Sequence, residues 1–163
     1  MTPVLTTRDP MTQTTDGPDS RAWYGEGLRF ECTKCGDCCT GDPGVVWVSD
    51  EELAAIATEL EVSVEDVAHR YVRRVGTGQA LFERFNGDCC FFDGTSRRCR
   101  VYAARPVQCR VWPFFDSTTA SRRAWQQTGE KCPGVGRGEL VSATTIVRRV
   151  AERVAAKRRA GAT

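Results

Sequence analysis

The sequence predicts a small α+β domain with short helices, a β-hairpin and cysteine-rich loops. Two helix starts with capping signals lie in its first half, and an Asn-Gly pair between two apolar runs is typical of a hairpin. Nine of the 163 residues are cysteine, and four of these fall within one short segment. Thiolates so close in sequence can converge on one metal ion, so we expect the domain to be metal-stabilised.

Composition restricts the compartment and the partners. The length fits one domain, and the formal net charge of +2 gives no strong field that would select nucleic acid or a membrane. Residues 1–22 lack the apolar core of a secretory signal, and no stretch approaches the roughly 18 apolar residues of a membrane span. We therefore expect a cytoplasmic protein, in which reduced, clustered cysteines favour metal over disulfides.

Three regions follow from composition. Residues 1–22 are rich in threonine and poor in apolar groups, which predicts a disordered N-terminal tail. Residues 23–138 contain all nine cysteines and form the predicted metal-binding domain. Residues 139–163 are predicted to form a basic C-terminal helix, with apolar residues at helical spacing on one face and arginine and lysine on the other. We expect that basic face to be solvated rather than bound to nucleic acid.

The cysteine-rich segment has the pattern Cys32-x2-Cys35-x2-Cys38-Cys39, and glycines lie within it and shortly after it. Glycine allows a tight loop to turn its backbone N–H groups toward sulfur. The apolar run at residues 45–48 follows and predicts a short strand.

Two helices are predicted next. Ser49 and Glu52 form a capping-box pattern, and apolar residues then recur at helical spacing, at Leu53, Ile56, Ala57 and Leu60. Ser63 and Asp66 give a similar start to a second short helix. The only histidine, His69, lies on that second helix, where we expect a surface or packing role.

The predicted hairpin joins residues 80–85 to residues 89–92 around Asn86-Gly87, and a second turn at residues 93–96 leads toward Cys99. Successive side chains of a strand point to opposite faces. Cys89 and Cys90 are therefore not expected to bind the same ion.

The ligand chemistry is predicted to be all sulfur. One histidine excludes sites that need two within the chain, and nine cysteines allow two four-thiolate sites with one cysteine left over. Zinc accepts four thiolates, but the spacing of Cys32, Cys35 and Cys38 also matches the first three ligands of a bacterial ferredoxin. A Cys-Pro pair supplies a ligand in that pattern too, and Cys132-Pro133 lies far downstream. Cysteine number and spacing therefore do not distinguish zinc from iron.

Basic residues crowd the later cysteines. No acid lies between Gly94 and Phe115, and that segment carries Arg97, Arg98, Arg100, Arg105 and Arg110. Lys34 and Lys131 adjoin other cysteines. Such cations lower the pKa of thiols and offset the charge of a thiolate site, although a solvated basic loop would have the same composition.

Three segments together resemble a known family. They are residues 32–39, residues 89–92 and residues 99–113, with Cys132-Pro133-Gly134 as a further match. The arrangement is similar to the YkgJ-type cysteine cluster family, a zinc- or iron-chelating CxxCxxCC domain. The resemblance assigns Cys89, not Cys90, to the family position, because Phe91-Phe92 then takes the place of Phe-Leu. It implies the metal ligands Cys32, Cys35, Cys38, Cys39, Cys89, Cys99, Cys109 and Cys132.

The predicted function is therefore metal chelation, with iron, as an iron–sulfur cluster, or zinc as the cofactor. One alternative is an iron–sulfur-dependent enzyme, since a flagellin lysine methylase resembles this family in its cysteine motif. No catalytic motif beyond the metal site supports that alternative in this chain. The other alternative is a zinc-stabilised interaction module that binds through the basic C-terminal helix.

Overall fold

The computed structural model describes residues 22–41 and 44–162, and the predicted tail lies outside this part of the chain except for Ala22. The described residues form five α-helices and three antiparallel strand pairs, so the predicted α+β class is confirmed. The helices are α1 (Asp50–Leu60), α2 (Val64–Tyr71), α3 (Val107–Val111), α4 (Arg122–Lys131) and α5 (Ala143–Arg159). The strands are β1 (Leu28–Phe30), β2 (Val72–Val75), β3 (Gly78–Leu81), β4 (Phe92–Asp93), β5 (Arg98–Cys99) and β6 (Val135–Val141).

Helices α1 and α2 begin where the capping signals predict. The backbone N–H of Ser49 donates to Glu52 Oε2 at 2.8 Å, and the N–H of Glu52 donates to Ser49 Oγ at 3.3 Å. Ser63 Oγ accepts from the N–H of Asp66 at 3.1 Å. Each bond satisfies a backbone donor that has no partner within the first helical turn. These starts are local in sequence, which is why the sequence predicts them well.

The hairpin predicted around Asn86-Gly87 is reduced to a single bridge between Glu83 and Cys89. The turn itself is present, since the N–H of Gly87 donates to Arg84 O at 2.8 Å. However, β3 ends at Leu81 and pairs with β2 on one side. Residues 46–48 bond to its other side, so β3 has no edge left for residues 89–92.

The turn at residues 93–96 closes the hairpin of β4 and β5. The side chain of Asp93 accepts from the N–H of Thr95 at 3.0 Å and from the hydroxyl of Ser96 at 2.6 Å. This short hairpin carries Cys99 at its end.

The C-terminal helix begins later than predicted. Residues 139–141 belong to β6, which pairs with β1, and Ser142 caps α5. On α5, Ile146 is fully buried whereas Val147 is 42% exposed. The guanidinium of Arg149 instead lies over the ring of Phe114, at 4.9 Å. Stacking of this kind lets a basic side chain cover an aromatic surface.

Two hydrophobic clusters form the core. The first contains residues of α1, α2 and β3 together with Cys90, Phe91 and Val101. The second contains Leu28, Phe114, Trp125 and Ile146, and so joins the two ends of the described chain. None of the helices in the described residues combines the length and apolarity needed to span a membrane.

Candidate metal centre

The segment of residues 32–39, here called the cysteine loop, approaches the β4–β5 hairpin very closely. Gly36 has φ +81°, and a Cβ at this position would lie 2.6 Å from Phe92 Cε2 and 2.7 Å from Arg97 O. Only glycine satisfies both the left-handed backbone and the absence of space for a side chain. A 3-10 turn, Asp37–Cys39, follows directly and presents two of the cysteines.

Two polar contacts hold this end of the cysteine loop. Asp37 Oδ1 lies 2.6 Å from the guanidinium of Arg97, and the N–H of Cys89 donates to Cys39 O at 2.8 Å. The ion pair is half-exposed and stabilises the fold by about 0–1 kcal/mol. The backbone bond is the more specific contact, because it fixes Cys39 beside Cys89.

The other end of the cysteine loop lies against the segment that follows α4. The N–H of Glu31 donates to Gly134 O at 3.1 Å. A Cβ on Gly134 would lie 2.1 Å from Glu31 O, so this close approach also requires glycine. Cys32, which follows Glu31, and Cys132, two residues before Gly134, are therefore brought near each other despite their distance in sequence.

All eight cysteines that the resemblance implicates line one cavity of about 970 Å³; they are Cys32, Cys35, Cys38, Cys39, Cys89, Cys99, Cys109 and Cys132. Leu81, Phe91 and Val101 of the first hydrophobic cluster also line it, as does Phe30, which packs on the second. The cavity thus borders both clusters.

Two other potential ligands, the ninth cysteine and the single histidine, do not line this cavity. Cys90 is 5% exposed and packs in the first hydrophobic cluster. His69 is exposed on α2 and does not line the cavity. Cys90 thus belongs to the core beside the cavity, and His69 belongs to the surface of α2.

The donor set fits zinc or iron. All nine cysteines, every one within the described residues, are free thiols, which are soft ligands suited to both metals. Across residues 22–41 and 44–162, no three His, Cys, Asp or Glu side chains are grouped closely enough to hold an ion as they stand. Binding therefore requires the thiols to converge by side-chain rotation within the cavity.

Neighbouring thiols polarise one another. The Sγ atoms of Cys38 and Cys39 are 4.0 Å apart. Their hydrogen bond lowers the pKa of Cys38 to about 7 and raises that of Cys39. A hydrogen bond with Cys90 likewise lowers the pKa of Cys89 to about 7. Cys38 and Cys89 are thus two thiols of the cavity whose pKa lies below the ordinary value.

Burial disfavours ionisation of the thiols that are more enclosed. Burial raises the pKa of Cys109 and of Cys99, and the negative charge of Cys89 and Cys38 raises both further. The four thiols are therefore close enough to interact electrostatically, and their full ionisation needs added positive charge.

Cationic side chains supply part of that charge. Seven line the cavity, namely Lys34, Arg97, Arg98, Arg100, Arg105, Arg110 and Lys131, against two acidic ones, Asp37 and Glu59. The guanidinium of Arg105 lies 3.8 Å from the centre of the Tyr102 ring and donates to Tyr102 O at 2.6 Å. The basic segment of the sequence therefore lines the same cavity as the thiols.

Tyr102 is a residue that the ligand chemistry alone does not single out. Its hydroxyl donates to Cys32 Sγ at 3.7 Å. Both Arg105 and Lys34 lie over its ring, and Lys34 Nζ is 5.4 Å from the ring centre. Burial raises the pKa of Tyr102, and the hydrogen bond with Cys32 raises it further. The only signal in the sequence is its place in the family-like segment, three residues after Cys99.

Replacement of Gly36 by alanine tests the close approach of the cysteine loop. Gly41→Ala is the matched control, because Gly41 also has positive φ (+97°) but a Cβ there meets no atom of the described residues within 4 Å. The backbone cost alone is about 1–2 kcal/mol in either variant. We expect Gly36→Ala to lower the free energy of unfolding by clearly more than the control and to reduce metal per chain. Equal losses in urea titrations of the two variants would contradict this role of Gly36.

Comparisons with known proteins agree with the chemistry of the cavity. A family model named CxxCxxCC and described as "Putative zinc- or iron-chelating domain" matches residues 31–133. An uncharacterised protein of Methanocaldococcus jannaschii, MJ0661, is 33% identical over 91 residues, which are 56% of this chain and 48% of that protein. The chain thus spans about half the length of this curated relative. No solved structure matches.

Proposed function

This chain belongs to the CxxCxxCC family, and we propose that it holds iron in an iron–sulfur cluster through the eight cysteines of its cavity. The observation that carries the proposal is the convergence of eight thiols from distant parts of the chain on one cavity that seven cationic side chains also line. A thiolate cluster carries concentrated negative charge, and nearby cations stabilise it.

Two features favour iron over zinc. Cys32, Cys35 and Cys38 have the spacing of the first three ligands of a bacterial ferredoxin, in which a Cys-Pro pair also contributes a ligand. The bond from the N–H of Glu31 to Gly134 O brings Cys132-Pro133 to the start of the cysteine loop. The Cys-Pro pair that lies far downstream in the sequence is thus close in space to the cysteine loop.

The chain's own residues hold and surround the metal. The cysteines act as thiolates, Tyr102 donates to Cys32, and Arg105 offsets negative charge near Cys99 and Cys109. When bound, an iron–sulfur cluster supplies a centre for one-electron transfer or structural cross-linking. Cys90 packs in the hydrophobic core and takes no part in binding.

A cytoplasmic location belongs to this proposal, because a reducing compartment keeps nine cysteines available as thiols. Nucleic acid is not proposed as a partner. Along the basic face of α5, the guanidinium of Arg149 lies over Phe114, that of Arg153 lies over Phe115 and donates to Asp116, and Lys157 Nζ lies 5.9 Å from the ring centre of Trp47. These cations have roles within the fold.

Isolation without oxygen from iron-replete cells tests the proposal. We expect brown protein that contains iron and acid-labile sulfide in fixed proportion, measured by elemental analysis and sulfide assay. Zinc in stoichiometric amount, with no sulfide and no colour, would contradict the iron–sulfur form and retain only a structural zinc site. Absence of both metals from folded protein would contradict metal binding altogether.

A further inference from the structure

We propose that Tyr102 is a positioning residue of the metal centre: its hydroxyl holds the Cys32 thiolate by a hydrogen bond and raises the reduction potential of the bound cluster. The inference rests on the proposed function, because it assigns part of the control of that cluster to one side chain. It gives a role to a residue that is not itself a metal ligand.

The contact joins two distant parts of the chain at a candidate ligand. Tyr102 Oη lies 3.7 Å from Cys32 Sγ, and the two residues are 70 positions apart. Cys32 is exposed, so burial does not confine its side chain, whereas a donor at its sulfur does. An ionised acceptor strengthens a hydrogen bond, so the contact becomes stronger when Cys32 binds metal as a thiolate. Both residues line the cavity, and the hydroxyl therefore stays within reach as the thiols converge.

The surroundings of Tyr102 hold its ring in place. Val101, the preceding residue, is 1% exposed and packs in the first hydrophobic cluster. The guanidinium of Arg105 lies 3.8 Å from the ring centre and donates to Tyr102 O at 2.6 Å. Arg105 is restrained in turn, because Arg110 donates to Arg105 O at 2.8 Å and Pro106 is fully buried. A donor whose position is fixed by packing and hydrogen bonds is preorganised for its acceptor.

The hydroxyl should raise the reduction potential because it favours the more negative state of the cluster. One-electron reduction adds negative charge, part of which lies on the sulfurs, and hydrogen bonds to the sulfurs stabilise it. Arg105 and Lys34, which both lie over the Tyr102 ring, place positive charge on the same side and act in the same direction.

Tyr102→Phe in the full chain, isolated without oxygen, removes the hydroxyl and keeps the ring. We expect folded protein that retains iron and sulfide but has a more negative reduction potential, measured by dye-mediated titration with dithionite. Its affinity for iron, measured by competition with a chelator, should fall about 10–100-fold, as is usual when a ligand loses its hydrogen-bond partner. Tyr71→Phe is the matched control and should change neither value, because Tyr71 is half-buried against the first hydrophobic cluster and does not line the cavity.

A second variant separates positioning from charge. Arg105→Lys keeps the positive charge but loses the planar group that stacks on the ring. If Arg105 acts through Tyr102, Arg105→Lys should make the potential more negative in the otherwise wild-type chain, with a smaller effect when combined with Tyr102→Phe. Equal effects of Arg105→Lys in the two backgrounds would overturn the positioning of Tyr102 by Arg105.

Equal potentials of the wild type and Tyr102→Phe at equal iron content would overturn the inference, as would equal shifts in Tyr102→Phe and Tyr71→Phe. Wild-type protein that holds zinc without sulfide would contradict the iron–sulfur form and with it the effect on potential. Competition for zinc would then test the hold on Cys32, and equal zinc affinities of the wild type and Tyr102→Phe would overturn that too. Wild-type protein without metal would refute the proposed function itself.

Discussion

Complete removal of metal is expected to unfold the central part of the domain. The cysteine loop contains only a three-residue 3-10 turn, and the β4 and β5 strands beside it are two residues each. Elements this short do not persist alone in water. Structural zinc sites contribute about 10–16 kcal/mol, which is comparable to the whole stability of a typical domain, about 5–15 kcal/mol.

Circular dichroism and thermal melting, before and after chelation under reducing conditions, measure this effect. We expect a large fall in melting temperature and loss of the near-ultraviolet signal, with recovery when metal is restored. Cys35→Ser should act in the same direction. The helical signal of α1 and α2 should fall less, because their buried residues pack in the first hydrophobic cluster. A chain that keeps its spectrum and melting temperature after elemental analysis finds no metal would refute metal-dependent folding.

Cys89→Ala and Cys90→Ala are expected to have opposite consequences, although the two residues are adjacent. Cys89 lines the cavity and Cys90 is buried in the first hydrophobic cluster. Cys89→Ala should therefore lose most of the metal that the cavity holds. Cys90→Ala should retain the metal and lower the free energy of unfolding by about 1 kcal/mol, as is common for truncation of a small core side chain.

Metal per chain, measured on folded protein, separates the two variants, and urea titration gives their stability. Each variant is the matched control for the other, because both substitutions remove one thiol at neighbouring positions. Equal metal loss in the two variants, or loss in Cys90→Ala alone, would show that the assignment of Cys89 is wrong.

The sequence predicts local features of the fold more reliably than distant ones. The starts of α1 and α2 are fixed by Ser49 and Ser63, whose partners lie three residues away. The pairing of β1 with β6 joins Leu28 to Val141, and no local pattern identifies such a partner. The C-terminal helix was extended too far forward in the prediction, because residues 139–141 pair in β6 instead of continuing the helix.

The same contrast holds in the cavity. The candidate ligands are evident from cysteine spacing and from the family resemblance, because ligand type is a property of the residues themselves. Their approach to one cavity depends on Gly36 and Gly134, where the chain comes closer to distant backbone than a Cβ would permit. The contact of Tyr102 with Cys32 spans 70 residues and likewise follows only from the fold.

X-ray absorption spectroscopy at the edge of the bound metal, on protein isolated without oxygen, tests the central claim most directly. The claim is that the cysteines of the cavity supply every protein ligand. We predict a first coordination shell of sulfur alone, at a metal–sulfur distance of about 2.3 Å for zinc and similar for iron. Nitrogen or oxygen neighbours at about 2.0–2.2 Å would contradict it, because they would require histidine, carboxylate or water in place of the thiolates.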